Sequence, residues 1–413
     1  MIRTLYTATL LALATCTQAA EPWGHWRSVT GNNIAPKGNY PETWSADKNV
    51  AWKIDLPDRG NSTPIVVGDK VFVTQAITEG KKRGIMCFSA TDGKKLWEHF
   101  VSQDIDEKTH KTNPYCSASA AVQGNVVVAW LGNSGIFAWD LDGKQLWHTD
   151  LGPIQHVFGY GSSPVIHGDK GYLNFGPGKR IFVVALNIKD GSEAWCIPVT
   201  VDRDRYEGRP IQGSYATPAF IQADGKTQMI TTFPGYIIGL NPEDGKEIWR
   251  CGGLDYNLHS SPVIHGGIAL ALGGYLYESA AVKLGGKGDV SKTHRLWQVE
   301  KKINAISSPL IVDNVFYRTR ENFISCHSLE TGEQLWKERF SLKGTWATPT
   351  LVGDKIYLVD KSGITTVFKH NPAKFEVLRQ NETNGAETNG SLYFADNAIY
   401  MRSHKNLWKF VKK

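Results

Sequence analysis

The sequence predicts an all-β fold: an eight-bladed β-propeller of four-stranded blades, the last blade closed by an N-terminal strand. Three observations predict it. First, an Asp-Gly-x-x-x-Trp motif recurs about every fifty residues, at Asp92–Trp97, Asp142–Trp147, Asp190–Trp195 and Asp244–Trp249, with a variant at Thr331–Trp336. Second, a small residue followed by Thr/Ser-Pro and an apolar run recurs out of phase with it, at Pro64, Pro164, Pro218, Pro262, Pro309 and Pro349. Degenerate copies place Ala120 and Ser391 at the proline position. Third, the intervening sequence consists of short β-branched and aromatic runs broken by Gly/Asp turns, with no sustained helical period.

Along the chain, the first element is a leader. Residues 1–20 read as a signal peptide, with Arg3 as the basic end, an apolar core around Leu10–Ala14, and small-residue cleavage sites ending at Ala19 or Ala20. Leu13-Ala14-Thr15-Cys16 resembles a lipoprotein box, although Thr15 stands where Gly, Ala or Ser is usual. Export is therefore expected, to the periplasm or the extracellular space. Membrane attachment, as an outer-membrane lipoprotein, is expected only if Cys16 is lipidated. No later segment approaches the ~20 apolar residues that span a bilayer.

Residues 21–61 form an N-terminal segment. Within it, Asn49–Leu56 resembles the Trp-bearing strand that closes other repeats, and Trp52 occupies the Trp position. Residues 62–413 form the propeller, which gives 44 residues for each of eight copies, a typical four-stranded blade. Each copy reads as a Pro-started strand, two further strands, an Asp-Gly turn and a Trp strand. Proline fits a strand start because no ladder donor is needed there. Asp-Gly suits a tight hairpin because both residues tolerate positive φ. The eighth copy ends at Lys413 without a Trp strand, so the strand at 49–56 is expected to complete it, which leaves only short, protected edges.

The Ala-x-Asp-x-x-Thr-Gly-x-x-x-Trp pattern around Ala185–Trp195 and Leu329–Trp336 resembles the docking motif of the pyrroloquinoline quinone (PQQ)-like β-propellers. The opening, Trp23-Gly24-His25-Trp26-Arg27 through Leu56-Pro57-x-Arg59-Gly60, is similar to that of secreted, planctomycete-type PQQ-binding-like repeat proteins. The resemblance covers the mature chain. It implies a relationship both to quinoprotein alcohol dehydrogenases and to BamB-type outer-membrane assembly proteins. It also implies that Trp52, Trp97, Trp147, Trp195, Trp249, Trp297 and Trp336 are structural, docking one blade on the next. Catalytic members hold PQQ beside a Ca²⁺ ion with carboxylate and amide ligands, use an aspartate base, and often carry a vicinal disulfide. No position here matches those ligands, and Cys-Cys is absent.

Composition narrows the function further. The formal net charge is +6, with basic residues dispersed, and no nucleic-acid partner is expected. After cleavage, Cys87, Cys116, Cys196, Cys251 and Cys326 remain, and free buried thiols are expected. His167 and His265 lie in repeated Val-Ile-His-Gly turns and read as part of the repeat. There is no metal spacing among the histidines, no Gly-x-Ser-x-Gly and no P-loop.

What remains is the set of loops around the channel mouth, namely those entering each innermost strand and those joining the second and third strands. Arg59, His156, Tyr160, Arg205, Arg209, Tyr256, His259, Arg320 and Trp346 are the candidate binding residues. Guanidinium forks and aromatic faces on a concave rim suit an anionic or sugar-like ligand. The expected function is thus that of an exported, non-catalytic binding or scaffold protein, a monomer whose rim takes a protein or glycan partner. The alternatives are a PQQ- and Ca-dependent dehydrogenase and a BamB-like assembly factor.

Overall fold

The computed structural model describes residues 24–28, 31–199, 213–223, 225–254, 256–274, 278–299 and 306–413. Arg205, Arg209, Cys16 and the leader lie outside them. Eight antiparallel sheets form the blades, and each runs outward from a short inner strand. Blade one is typical: Ile65–Val67, Lys70–Ile77, Lys82–Ser89 and Lys95–Ser102 are hydrogen-bonded in that order. Blade eight has three strands from the C-terminus, Tyr393–Ala395, Ala398–Arg402 and Asn406–Val411. Its outer strand is Val50–Asp55, paired antiparallel with Trp52 opposite Lys409 and Asp55 opposite Asn406. The ring closes as the sequence predicts.

Tryptophan holds neighbouring blades together. The indole N–H of Trp52, Trp97, Trp147, Trp195, Trp297 and Trp336 donates to the carbonyl of Ala90, Leu141, Ile188, Pro242, Leu329 and Asn371 respectively, at 2.7–3.1 Å. Each acceptor lies at the turn before the next blade's outer strand. The turn glycine must lie flat against the ring. A Cβ at Gly191 would meet the Trp147 ring at 2.5 Å, and its φ of +72° also favours glycine. Burying ~200 Å² of indole is worth on the order of 5 kcal/mol, against about 1 kcal/mol for its hydrogen bond. Burial therefore dominates the docking, and the hydrogen bond sets the ring's orientation.

Trp249 departs from this pattern. Its N–H donates to Gln228 Oε1 within its own blade. Blade five lacks the regular turn, and the segment 284–294 instead lays Gly288–Asp289 parallel against Glu247–Gly252 as a fifth strand of blade four. Blade seven carries no Trp, and Arg379 stands at that register, opposite Val367. Its seam with blade eight is filled by Trp44, stacked on Phe410 at 5.1 Å and parallel to Tyr357 at 6.3 Å.

A ring of hydroxyls joins the inner strands. The amide of Thr63 donates to Ser119 Oγ, Ser119 to Ser163, Ser163 to Thr217, Thr217 to Ser261 and Ser261 to Ser308. Thr348 donates to Ser391, and Ser391 back to Thr63. This ring corrects the placement of Ser391 at the proline position. Ser391 belongs one place earlier, with the ring hydroxyls, and Leu392 stands where the proline does, immediately before the inner strand at Tyr393.

The N-terminal segment crosses the propeller axis. His25 bridges to Ala121 of blade two, Asn32 exchanges hydrogen bonds with Ile311 of blade six, and Ile34 bridges to Leu351 of blade seven. A Cβ at Gly31 would meet the Pro262 carbonyl of blade five. Contact with inner strands from opposite sides of the ring places this segment across the central channel.

Candidate functional site

A cavity of about 580 Å³ opens on the face where the chain enters each inner strand. The two kinds of connection expected at the mouth line it. Entry loops contribute Asn61, Phe158, Tyr215, His259, Trp346 and Asn389, and second-to-third-strand turns contribute Glu321 and Lys361. Trp26 of the crossing segment also lines it, its indole N–H 3.4 Å from Ser391 Oγ of the hydroxyl ring. That side of the cavity is closed by the chain's own N-terminal segment.

One wall is aromatic. The Tyr215 ring stacks on His259 at 5.2 Å, and its hydroxyl lies 2.7 Å from His156 Nδ1. Burial drives both histidines down to about 4, so both are neutral at physiological pH, and burial pushes the Tyr215 phenol well up. On the opposite wall the Lys361 ammonium sits 4.4 Å from the Trp346 ring centroid, and burial lowers its pKa. Lys361 and Glu321 lie on adjacent blades, and neither makes an ion pair within the described residues. The buried Asn61 Oδ1 has no hydrogen-bond partner. The cavity therefore combines aromatic faces with a few polar groups of nearly cancelling charge.

A long connection between blades one and two, 103–117, supplies His110, Thr112, Asn113 and Ser117 to the wall. It is anchored from beneath. Glu107 accepts from Arg83 Nη1 at 2.6 Å and from the Asn133 amide at 3.3 Å, and Tyr115 Oη donates to the Glu107 carbonyl. Arg83 and Glu107 are both buried. Burial pushes the Glu107 carboxyl above its ordinary value despite the neighbouring guanidinium. Asn113 donates to the carbonyls of Phe158 and Tyr160, tying the connection to the next entry loop.

The candidates named from sequence separate by position. His259 and Trp346 line the cavity, and His156 stands behind Tyr215. Tyr160 is in the core, its hydroxyl donating to the Tyr115 carbonyl and its ring 4.8 Å from Trp130. Arg59 lines a shallower recess with Glu79 and Lys111, and its guanidinium lies 3.2 Å from His404 Nε2. Tyr256 and Arg320 are half-buried outside the wall, although the neighbours of Arg320, Thr319 and Glu321, are on it. Sequence reasoning missed Trp26, His110 and Lys361. The 103–117 connection is long for a propeller turn, and its length was the available signal. For Trp26 there was none, because its placement depends on the chain crossing the axis.

The donor set is poor for a calcium-bound quinone. Ca²⁺ takes six to eight oxygens, usually with several carboxylates, yet Glu321 is the sole carboxylate on the wall among the described residues. Among the described residues no group of three His, Cys, Asp or Glu is placed to hold a metal ion either. Lys361 is the single lysine or arginine on the described wall, whereas PQQ carries three carboxylates to be met. The residues present do not fit that pair. All five described cysteines are free.

The family model for outer membrane protein assembly factor BamB matches residues 17–152 and 50–222. No curated protein matches the sequence. BamB from Moraxella catarrhalis superposes with a TM-score of 0.61 at 16% identity, over 88% of this chain and 97% of that one. The computationally designed Ika8 protein gives 0.60 at 11% identity, over 88% and 99%. The quinohemoprotein alcohol dehydrogenase ADHIIG from Pseudomonas putida HK5 gives 0.61 at 11%, over 94% and 80%. At these identities the structural likeness concerns the fold alone.

Proposed function

The chain is a PQQ-like β-propeller protein related to BamB, and from that premise we propose that it is an exported, non-catalytic binding protein that takes a glycan in the cavity at the mouth. The observation that carries this reading is the cavity's composition. Its volume lies within the ~300–1,000 Å³ of small-molecule sites. Trp26, Phe158, Tyr215 and Trp346 offer flat apolar faces of the kind that pack against the C–H faces of sugar rings. Glu321, Asn61 Oδ1 and Lys361 offer hydrogen-bonding capacity not committed to ion pairs, and their charges nearly cancel. A polyhydroxylated, uncharged ligand uses both features without leaving a buried charge unpaired. Export rests on the leader read from the sequence and on the relationship to an outer-membrane assembly factor.

Two alternatives make different demands. A quinoprotein needs a calcium and carboxylate site, and an assembly factor needs a protein partner on the rim. Thermal unfolding of the purified chain with a panel of oligosaccharides, and in parallel with PQQ plus Ca²⁺, separates them. A ligand at about 100 times its Kd stabilises the fold by roughly 2.7 kcal/mol. The glycan reading expects a saturable rise with at least one oligosaccharide and none with PQQ. A rise with PQQ and Ca²⁺ alone would overturn it in favour of the dehydrogenase, and no rise in either arm would leave a protein partner as the better reading.

A further inference from the structure

We propose that the centre of the propeller holds a small monovalent anion of the halide class, bound between Arg27 and the one open link of the hydroxyl ring. This site is separate from the glycan cavity and does not depend on the glycan reading. Arg27 is a buried cation with unmet donors. Its side chain is 2% exposed. One nitrogen, Nη2, donates to the Pro309 carbonyl at 3.2 Å, and Nε and Nη1 have no partner among the described residues. Burial lowers its pKa to about 9, so the group remains a cation at neutral pH, and no carboxylate pairs with it among the described residues. An uncompensated buried charge is among the costliest features a fold can carry.

A second, independent observation concerns the hydroxyl ring beside Pro309, the residue that receives the Arg27 hydrogen bond. Around the ring each Ser/Thr hydroxyl accepts an amide from its neighbour, except between blades six and seven. There no hydrogen bond joins the Ser308 amide to Thr348 Oγ1, and the buried Thr348 hydroxyl has no partner of its own. Pro309, which receives the single Arg27 hydrogen bond, is the residue after Ser308. The crossing segment keeps both blades close to this point, since Asn32 pairs with Ile311 while Asn33 donates to the Pro349 carbonyl beside Thr348. Arg27 Nε and Nη1, the Ser308 amide and the Thr348 hydroxyl are all donors, and no acceptor for them is found among the described residues. Water could meet the hydrogen-bonding demand but not the charge. An anion meets both. Arg27, Ser308 and Thr348 are all nearly fully buried, which favours a monatomic ion over an oxyanion.

The consequence is structural as well as chemical. Arg27 and Ser28 both hold φ near +65°, at 70° and 62°, a conformation that non-glycine residues keep only when their surroundings enforce it. The anion would pin this turn against blades six and seven. Because the Arg27 guanidinium lies 5.3 Å from the Trp26 ring centroid, it would also steady one wall of the cavity.

The test is thermal unfolding of the full chain at constant ionic strength while gluconate is exchanged for chloride or bromide. The wild type is expected to gain several degrees with rising halide and to saturate, and Arg27→Gln is expected to show a flat response. No halide dependence in the wild type, or an equal dependence in Arg27→Gln, would overturn the proposal. Should Arg27→Gln not fold, bromide-soaked wild-type crystals decide the matter. An anomalous peak within hydrogen-bonding reach of Arg27 and Thr348 supports the site, and its absence at full bromide exchange refutes it.

Discussion

At the scale of single residues, buried polar groups make the sharpest commitments. Arg83 and Glu107 are paired at 2.6 Å in the core beneath the 103–117 connection. Removing one partner strands the other, at a cost of about 3–5 kcal/mol. Arg83→Met should therefore lower the urea midpoint far more than the double variant Arg83→Met/Glu107→Leu, and a double variant no better than the single would contradict the assignment. Histidine gives a pH signature. The folded-state pKa of His156 and of His259 is about 4, below the ordinary 6.5, so the unfolded chain binds protons that the folded one does not. Their contribution is complete above about pH 6.5 and is lost as pH falls toward 4, with an upper bound of about 3 kcal/mol each. The urea midpoint should fall steadily over that window, and His156→Asn, which keeps an acceptor for Tyr215, should reduce the slope. An unchanged slope would show that His156 is not the group responsible. Residue roles were only partly legible in the sequence. Trp346 and His259 follow from their place before an inner strand, where a loop must border the mouth. Tyr160 sits in the same kind of loop yet turns inward, because its hydroxyl finds the Tyr115 carbonyl, and no local pattern separates the two outcomes.

At the scale of elements, the repeat was legible because each blade solves the same packing problem with the same residues. A turn glycine and a docking tryptophan recur together because the ring leaves no room for a Cβ. Gly191→Ala should thus destabilise the protein by well over 1 kcal/mol, since a 2.5 Å approach to Trp147 adds to the cost of positive φ. Gly68→Ala meets open space at φ +56° and should cost about 1 kcal/mol. Equal chemical-denaturation midpoints for the two variants would rule out the close contact. The exceptions were not legible, for physical reasons. Trp249 carries the motif, but the neighbouring turn is replaced by the Gly288–Asp289 strand, so the same motif packs within its own blade. Blade seven has no Trp because a residue more than 300 positions away in sequence, Trp44, fills its seam with blade eight. The one-residue offset at Ser391 arises because that blade has no proline, and the hydroxyl ring, a tertiary feature, sets the register.

At the scale of the whole molecule, two long-range connections make the ring one unit: the outer strand Val50–Asp55 in blade eight, and the crossing segment, residues 24–28 and 31–36, on the axis. Both join sequence-distant parts of the chain, so closure should be cooperative. Trp52→Ala removes the docking of blade eight on blade one and should cost about 3–5 kcal/mol while unfolding stays a single transition. A separate early transition would instead mean that blade eight frays independently. Closure was readable from the incomplete last repeat. That the same N-terminal segment closes off one side of the cavity was not, since nothing in its composition indicates that it crosses the axis. The glycan proposed as ligand would sit in this cavity, bounded by Trp26 and Trp346. Calorimetric titration of the full chain and of Trp346→Ala with the oligosaccharide that most raises the thermal midpoint tests it directly. Saturable binding to the wild type is expected, with at least a tenfold loss of affinity in Trp346→Ala and the variant's unfolding midpoint nearly unchanged. Equal affinity in the two proteins would place the ligand elsewhere and contradict this placement.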